Sequence, residues 1–298
     1  MTFRDTGPGD VSLVSGSLTR CCSSGHHRAV SRTQQEILRT TFDQVPELYD
    51  RARPTYPPQV LHDLVALAQL PAKARLVEIG CGTGQATLPL AERGFAITCI
   101  ELGGQLAAFA RRKLASFQSV EVIDANFEDW QPPYAQFDAV VAFTSFHWID
   151  PEVRYTKAAD LLRERGKLVI VSAQHVLPAD GDLFFLDVQE DYDAVVPDDP
   201  KTKTGADGPP HPESVADLAE EIAGSGRFRN LGTRRYLWDV PYTADEYIAL
   251  LNTYSGHLAF DGKTREQLLT RIHRRIETRP DGKVRKTYLA MLNVAERV

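Results

Sequence analysis

No stretch of this 298-residue chain approaches the roughly 20 consecutive apolar residues that a membrane-crossing helix needs. The first residues also lack a charged-then-apolar leader. Cysteine is scarce, and the four present do not make a disulfide framework at this length. Cys21 and Cys22 are adjacent and lack the spaced partner pair of a zinc site. Cys81 and Cys99 fall in a glycine turn and an apolar strand, and both read as small reduced side chains. Positive charge is in deficit too, 34 Lys and Arg against 40 Asp and Glu, for a net charge of −6. That balance argues against a nucleic-acid partner, whose binding requires a basic face. The one notable basic run, Arg271-Ile272-His273-Arg274-Arg275, reads as a solvated helix face. The His, Asp and Glu residues show no ligand spacing such as H-x-x-x-H, so no metal is expected. The expectation from these absences is a cytoplasmic protein without membrane or nucleic-acid contacts.

What is present is enough apolar side chain, 43% of residues, to bury a full core. Residues 1–30 are rich in Gly, Ser, Thr and Arg without periodicity, and a disordered tail is expected there. Residues 31–298 read as one domain. A helical cap is expected over 31–70, from a helix starting near Ser31, a proline-broken stretch Tyr49–Pro58 and a helix from Gln59 to Leu70. Strands then alternate with helices. The strands are Arg75–Ile79, Ala96–Glu101, Val120–Ile123, Phe137–Phe143 and Lys167–Ser172, and the helices between them are Gly84–Arg93, Gln105–Ser116 and Pro151–Arg163. This order implies right-handed crossovers and a parallel, Rossmann-like α/β sheet with helices on both faces. The rhythm fails between Ala173 and Arg229, which reads as an insertion over the C-terminal sheet edge and a candidate substrate lid. A strand Thr233–Val240, helices Ala244–Tyr254 and Arg265–Glu277, and a strand Val284–Val294 complete the expected elements.

The most informative run is Val77-Glu78-Ile79-Gly80-Cys81-Gly82-Thr83-Gly84. Strand, glycine turn and helix in that order build a nucleotide crevice at the edge of an open sheet. Glycine permits positive φ and lets a ligand approach the backbone. The spacing is G-x-G-x-G, however, whereas dinucleotide sites use G-x-G-x-x-G. Glu78 just before the turn suits a ligand with a cationic amino-acid end. Both features point to S-adenosylmethionine rather than NAD. An NAD(P)-dependent oxidoreductase and a non-catalytic S-adenosylmethionine-binding regulator remain the alternatives. Glu101 ends the second strand about 20 residues after the turn, where an acidic side chain accepts from ribose hydroxyls. Leu102 then falls beside the adenine.

Glu78-Ile79-Gly80-Cys81-Gly82-Thr83-Gly84 resembles motif I of the class I S-adenosylmethionine-dependent methyltransferases, and the resemblance runs from about Phe42 to the C-terminus. It implies a seven-stranded sheet with an antiparallel last strand. It also implies that Gly80, Cys81, Gly82, Thr83 and Gly84 cradle the cofactor, that Asn126 accepts from the adenine amino group, and that Phe127 offers its N–H and ring. Tyr49-Asp50-Arg51-Ala52-Arg53-Pro54-Thr55-Tyr56-Pro57 is similar to the family's lead-in. There Arg53 would pair with the cofactor carboxylate, while Tyr49 and Tyr56 close over the methionine end. Phe143-Thr144-Ser145-Phe146-His147-Trp148-Ile149-Asp150 resembles small-molecule enzymes of the trans-aconitate methyltransferase-like group. Phe143 would then line the cofactor site, Phe146 and Trp148 face the sulfonium, and His147 serve as general base or positioning group. Two departures stand out. Arg163-Glu164-Arg165-Gly166 occupies the place of the family's Pro-Gly-Gly, and no Asn-Pro-Pro-Tyr run is present. The second departure, with the acidic charge, favours a small-molecule acceptor.

Overall fold

The computed structural model describes residues 42–132, 136–196 and 208–298. The expected tail and nearly all of the helix expected from Ser31 lie outside them. Two prolines start the first helices, α1 (Pro46–Ala52) and α2 (Pro58–Ala68). At a first helical position proline's missing N–H leaves nothing unpaired. Gln69 closes α2 in the left-handed region, φ +49°.

The sheet follows, with β1 (Arg75–Ile79), α3 (Thr87–Glu92), β2 (Ala96–Glu101), α4 (Gly104–Lys113), β3 (Val120–Asp124), β4 (Phe137–Phe143) and α5 (Arg154–Leu161). Next come β5 (Leu162–Val176), the short helices α6 (Phe184–Asp187) and α7 (Gln189–Val195), α8 (Ala219–Gly224) and β6 (Phe228–Thr243). The chain ends with α9 (Ala244–Leu251), α10 (Ser255–Leu258), α11 (Gly262–Glu277) and β7 (Lys283–Arg297). The seven strands lie in the order β3-β2-β1-β4-β5-β7-β6. β1 to β5 pair in parallel, and β7 runs antiparallel to both neighbours. This is the expected Rossmann-like open sheet. The chain winds outward in opposite directions from β1 and β4, so a crevice opens where their C-terminal ends part.

Apolar side chains alternate across the strands and fill both faces. On one face Leu76, Ile97, Cys99, Val141 and Val171 pack against α2, α3 and α4. On the other, Val77, Ile79, Val140 and Ile170 meet Tyr155 of α5 and Ile222 of α8. A third cluster lies apart from the sheet centre. Phe184 and Tyr192 of the segment between β5 and β6 pack there with Tyr247, Leu250, Leu268 and Ile272 of the segment between β6 and β7. Both segments therefore form one cap.

The expected bounds shift where long-range pairing decides them. β5 takes in the turn expected at Arg163–Gly166, with Arg165 at φ +59°. It also runs on through Ala173–Val176, paired to β7. β6 likewise begins at Phe228, so the segment between the two strands is 177–227 rather than 173–229. Among the described residues no helix is long and apolar enough to cross a membrane.

Candidate active site

β1 ends in a turn whose three glycines all sit at positive φ: Gly80 +65°, Gly82 +57° and Gly84 +78°. The Gly80 N–H donates to the Ile100 carbonyl at 2.8 Å, which ties the turn to β2. The demand at Gly80 is also steric, because a Cβ there would lie 2.7 Å from Cβ of Ser145. Ser145 follows β4 and donates to the Ile79 carbonyl, so the ends of β1 and β4 are clasped together.

Glu101 lies across this turn. Its Oε2 accepts from the Gly82 N–H at 2.7 Å and its Oε1 from the Gly103 N–H at 2.9 Å. Burial pushes its carboxyl above the usual range, opposed by those two donors. Each oxygen keeps a further acceptor position. Thr83, inside the turn, has a buried hydroxyl oxygen without a hydrogen-bond partner. Leu102 is half-buried beside Glu101, and Cys81 is buried with a free thiol, as is Cys99.

Glu78 is placed differently from the expected ligand-facing position. It is buried beneath the turn, and its Oε2 accepts from the Thr87 hydroxyl at 2.7 Å. Burial pushes its carboxyl up to about 7.

The lead-in segment closes over the turn. The Tyr49 ring edge lies 3.9 Å from where a Gly82 Cβ would be. Tyr56 bonds the Thr144 hydroxyl at 2.7 Å and packs its ring 5.2 Å from Phe143. Thr144 itself is held at φ +52° and accepts from the Ala173 N–H at 3.1 Å. Arg53 turns towards the cap. It donates to the Thr253 hydroxyl at 2.8 Å and to the Thr253 carbonyl at 2.9 Å. Its guanidinium sits between the rings of Tyr49 at 5.0 Å and Tyr254 at 4.3 Å. Two of its nitrogens thus serve a protein link where a cofactor carboxylate was expected.

Asn126 is half-buried after β3 and makes an Asx turn: its Oδ1 accepts from the Glu128 N–H at 3.1 Å and its Nδ2 donates to Asp129 at 3.0 Å. Phe127 and Phe146 are buried in the core of the second sheet face. Phe146 packs 5.2 Å from Tyr155. His147 is exposed on the 3₁₀ turn Phe146–Trp148, 4.9 Å from the Trp148 ring. Among the described residues no three His, Cys, Asp or Glu side chains are grouped to hold a metal.

Sequence reasoning missed Thr144, Ser145, Thr253, Tyr254 and a polar group under the cap. In that group Lys286 donates to the Tyr254 hydroxyl at 3.0 Å. Tyr192 bonds Nε2 of His257 at 2.8 Å, and burial, helped by the Lys286 charge, pushes His257 down to about 3. A signal did exist. Val284, Lys286, Tyr288, Ala290 and Leu292 share one face of β7, so Lys286 interrupts a core-facing row.

This strand order and glycine turn define a Rossmann-like α/β fold. Residues 77–170 match the family described as a methyltransferase domain. An uncharacterized methyltransferase of Mycobacterium bovis is 32% identical over 132 residues, 44% of this chain and 51% of that protein. A Bacillus subtilis protein named as a methyltransferase is 38% identical over 74 residues, 25% of this chain and 30% of its own. The chain thus spans about half or less of these curated relatives. A solved structure described as a type II methyltransferase from Anaeromyxobacter dehalogenans superposes with TM-score 0.55 at 22% identity, covering 81% of this chain and 97% of that one. Residues 77–170 are thus similar to the methyltransferase domain family, and the solved neighbour shares the fold.

Proposed function

We propose that this protein transfers a methyl group from S-adenosylmethionine to a small-molecule acceptor by direct in-line displacement. The observation that carries the reading is Glu101, held across the glycine turn by the Gly82 and Gly103 N–H groups. Its oxygens are thereby fixed at the crevice, each with an acceptor position for a ribose hydroxyl. The Thr83 hydroxyl, buried without a partner, supplies a second contact that a ligand would complete. Gly82 leaves the backbone open under Tyr49, Gly80 and Gly84 fit closely against Ser145 and Leu114, and Cys81 packs in the core. Leu102, Asn126 and Phe127 would take the adenine end, with Phe143 at the methyl end. Arg53, fixed to Thr253, holds the lead-in against the cap. Glu78 supports the turn from below.

S-adenosylmethionine, when bound, supplies an electrophilic sulfonium methyl. The protein's task is then to align the acceptor and exclude water, which the cap over the C-terminal sheet edge serves as a lid. His147 lies at the open end of β4 and orients the acceptor.

Calorimetric titration tests this reading. Saturable binding of S-adenosylmethionine and S-adenosylhomocysteine is expected, with none for NADH, and Glu101→Ala should weaken cofactor binding by about 1–3 kcal/mol. Unchanged affinity in that variant, or a micromolar NADH site, overturns it. For a positioning His147, His147→Ala should lower turnover less than about 10-fold with the acidic limb of the pH profile retained. A loss of about 10²–10⁴-fold together with that limb would make it the general base.

A further inference from the structure

Lys286 is 1% exposed, and its one described hydrogen bond is to the Tyr254 hydroxyl. Among the described residues no carboxylate forms an ion pair with it. It is instead ringed by aromatics, with Nζ 5.1 Å from the Tyr254 ring, 5.4 Å from Tyr288, 5.8 Å from Tyr247 and 5.9 Å from Phe185. Ring faces attract a cation, yet they replace only part of the lost hydration. Nor does Tyr288 supply a negative charge, since burial first, then Tyr254 and Tyr242, push its phenol up.

His175 lies against the same cage. It is 5% exposed, and both ring nitrogens are buried without a hydrogen-bond partner. It pairs with Tyr288 across β5 and β7, and its ring is 4.1 Å from Phe185. Burial, then the Lys286 charge, pushes it well below its ordinary value, which leaves a neutral imidazole with one donor and one acceptor. A cation without a counter-charge beside an imidazole without a partner is an arrangement completed by a ligand.

Position connects this group to the crevice. The last paired residue of β4 is Phe143, opposite Val171, and β5 continues past it. Val171, Ala173 and His175 share the face that carries Phe143 and Tyr56. From the other side, Gly82, Tyr49, Arg53, Tyr254 and Lys286 form an unbroken line of contacts. The aromatic cage thus stands at the open edge of the sheet, across from the glycine turn.

We propose that Lys286 and His175 form the acceptor subsite, and that it seats a planar organic oxyanion. This rests on the methyltransferase reading for what the subsite serves. Lys286 receives the ionised oxygen, His175 donates its ring N–H to it, and Phe185, Tyr247 and Tyr288 cover the planar body. A carboxylate and a phenolate share this chemistry.

Titration of the full chain saturated with S-adenosylhomocysteine tests the subsite with two matched pairs, benzoate against benzamide and ionised para-nitrophenolate against para-nitroanisole. At least one anion should bind 10-fold or more tightly than its neutral partner, and the preferred pair tells carboxylate from phenolate. Lys286→Met should abolish that preference, and Lys286→Arg should retain part of it. His175→Ala should weaken the anion more than the neutral partner. Neutral partners binding equally well, neither anion binding, or a preference that survives Lys286→Met each overturns the proposal. Should Lys286→Met fail to fold, the wild-type pairs and Lys286→Arg decide. The S-adenosylhomocysteine affinity is read from the same protein. Its loss with the anion preference intact removes the methyltransferase reading and leaves the subsite standing.

Discussion

Single atoms separate residues that look alike in the glycine turn. Gly80 and Gly82 both occupy positive φ, where an L side chain costs roughly 1–2 kcal/mol. Only Gly80 also faces a wall, with Ser145 Cβ 2.7 Å from the place of its missing Cβ. Gly80→Ala should therefore disturb folding and cofactor affinity clearly more than Gly82→Ala, whose nearest neighbour is Tyr49 at 3.9 Å. Equal effects in paired melting and calorimetry would remove the β1–β4 clasp from the account. Glu78 gives a pH-dependent counterpart. Its folded-state pKa of about 7 lies above the ordinary 4.5, so the folded protein binds this proton more tightly than the unfolded chain does. Linkage then requires the contribution to be fully present below about pH 4.5 and lost as pH rises through about 7. Wild-type stability should accordingly fall across that window relative to Glu78→Gln. A constant difference between the two melting profiles would exclude Glu78 as the source.

Among the elements, legibility followed the range of the interactions that set each boundary. β1, β2 and β4 coincide with the expected spans because short apolar runs bounded by turn residues specify buried strands locally. The ends of β5, β6 and β7 did not show in the sequence. Their outer residues are strand because a neighbour pairs with them, as at Val176 opposite Thr287 and Phe228 opposite Arg297. The glycine turn and Glu101 were legible from spacing alone. The link from Arg53 to Thr253 was not legible, because the two lie 200 residues apart. The cap shows the same limit, since nothing local indicates that Phe184 and Tyr247 share a cluster. What is local there is the start of α9 and of α11. Thr243 caps α9 by accepting from the Glu246 N–H, and Glu246 returns an acceptor to the Thr243 N–H at 2.8 Å. Thr243→Ala should lower stability by about 1 kcal/mol. With the cap displaced from Thr253, Arg53 loses its anchor, so cofactor affinity should fall in the same variant by less than Glu101→Ala causes. An unchanged melting temperature would mean that α9 is held by packing alone.

At the scale of the whole molecule, the lead-in couples the two halves of the site, and it does so from Asp43 onward. The Asp43 carboxylate accepts from the N–H groups of Gln105 and Leu106 at 2.7 and 2.9 Å, and so closes the first turn of α4. Asp50 pairs with Lys113 near the other end of that helix at 2.6 Å. Gln85, just past the glycine turn, donates to the Asp50 carbonyl at 3.0 Å. Arg53 then reaches Thr253 in the cap, and Tyr56 bonds Thr144 beyond β4. One short segment thus contacts α4, the glycine turn, the cap and the exit of β4. Removal of residues 1–30 leaves every one of these contacts in place, so melting temperature and S-adenosylhomocysteine affinity should match the full chain. Removal of residues 1–58 takes all of them away at once. It exposes the α4 N-terminus, uncovers Gly82 and frees Thr253, and the shorter chain should lose cofactor affinity even where it stays folded. The Asp43→Ala variant separates the contributions, because it removes only the α4 contact and should cost stability with a smaller effect on binding. If both truncations lose affinity equally, residues 1–30 carry part of the site. If the longer truncation binds S-adenosylhomocysteine normally, the lead-in is a packing element and Tyr49 does not cover the cofactor.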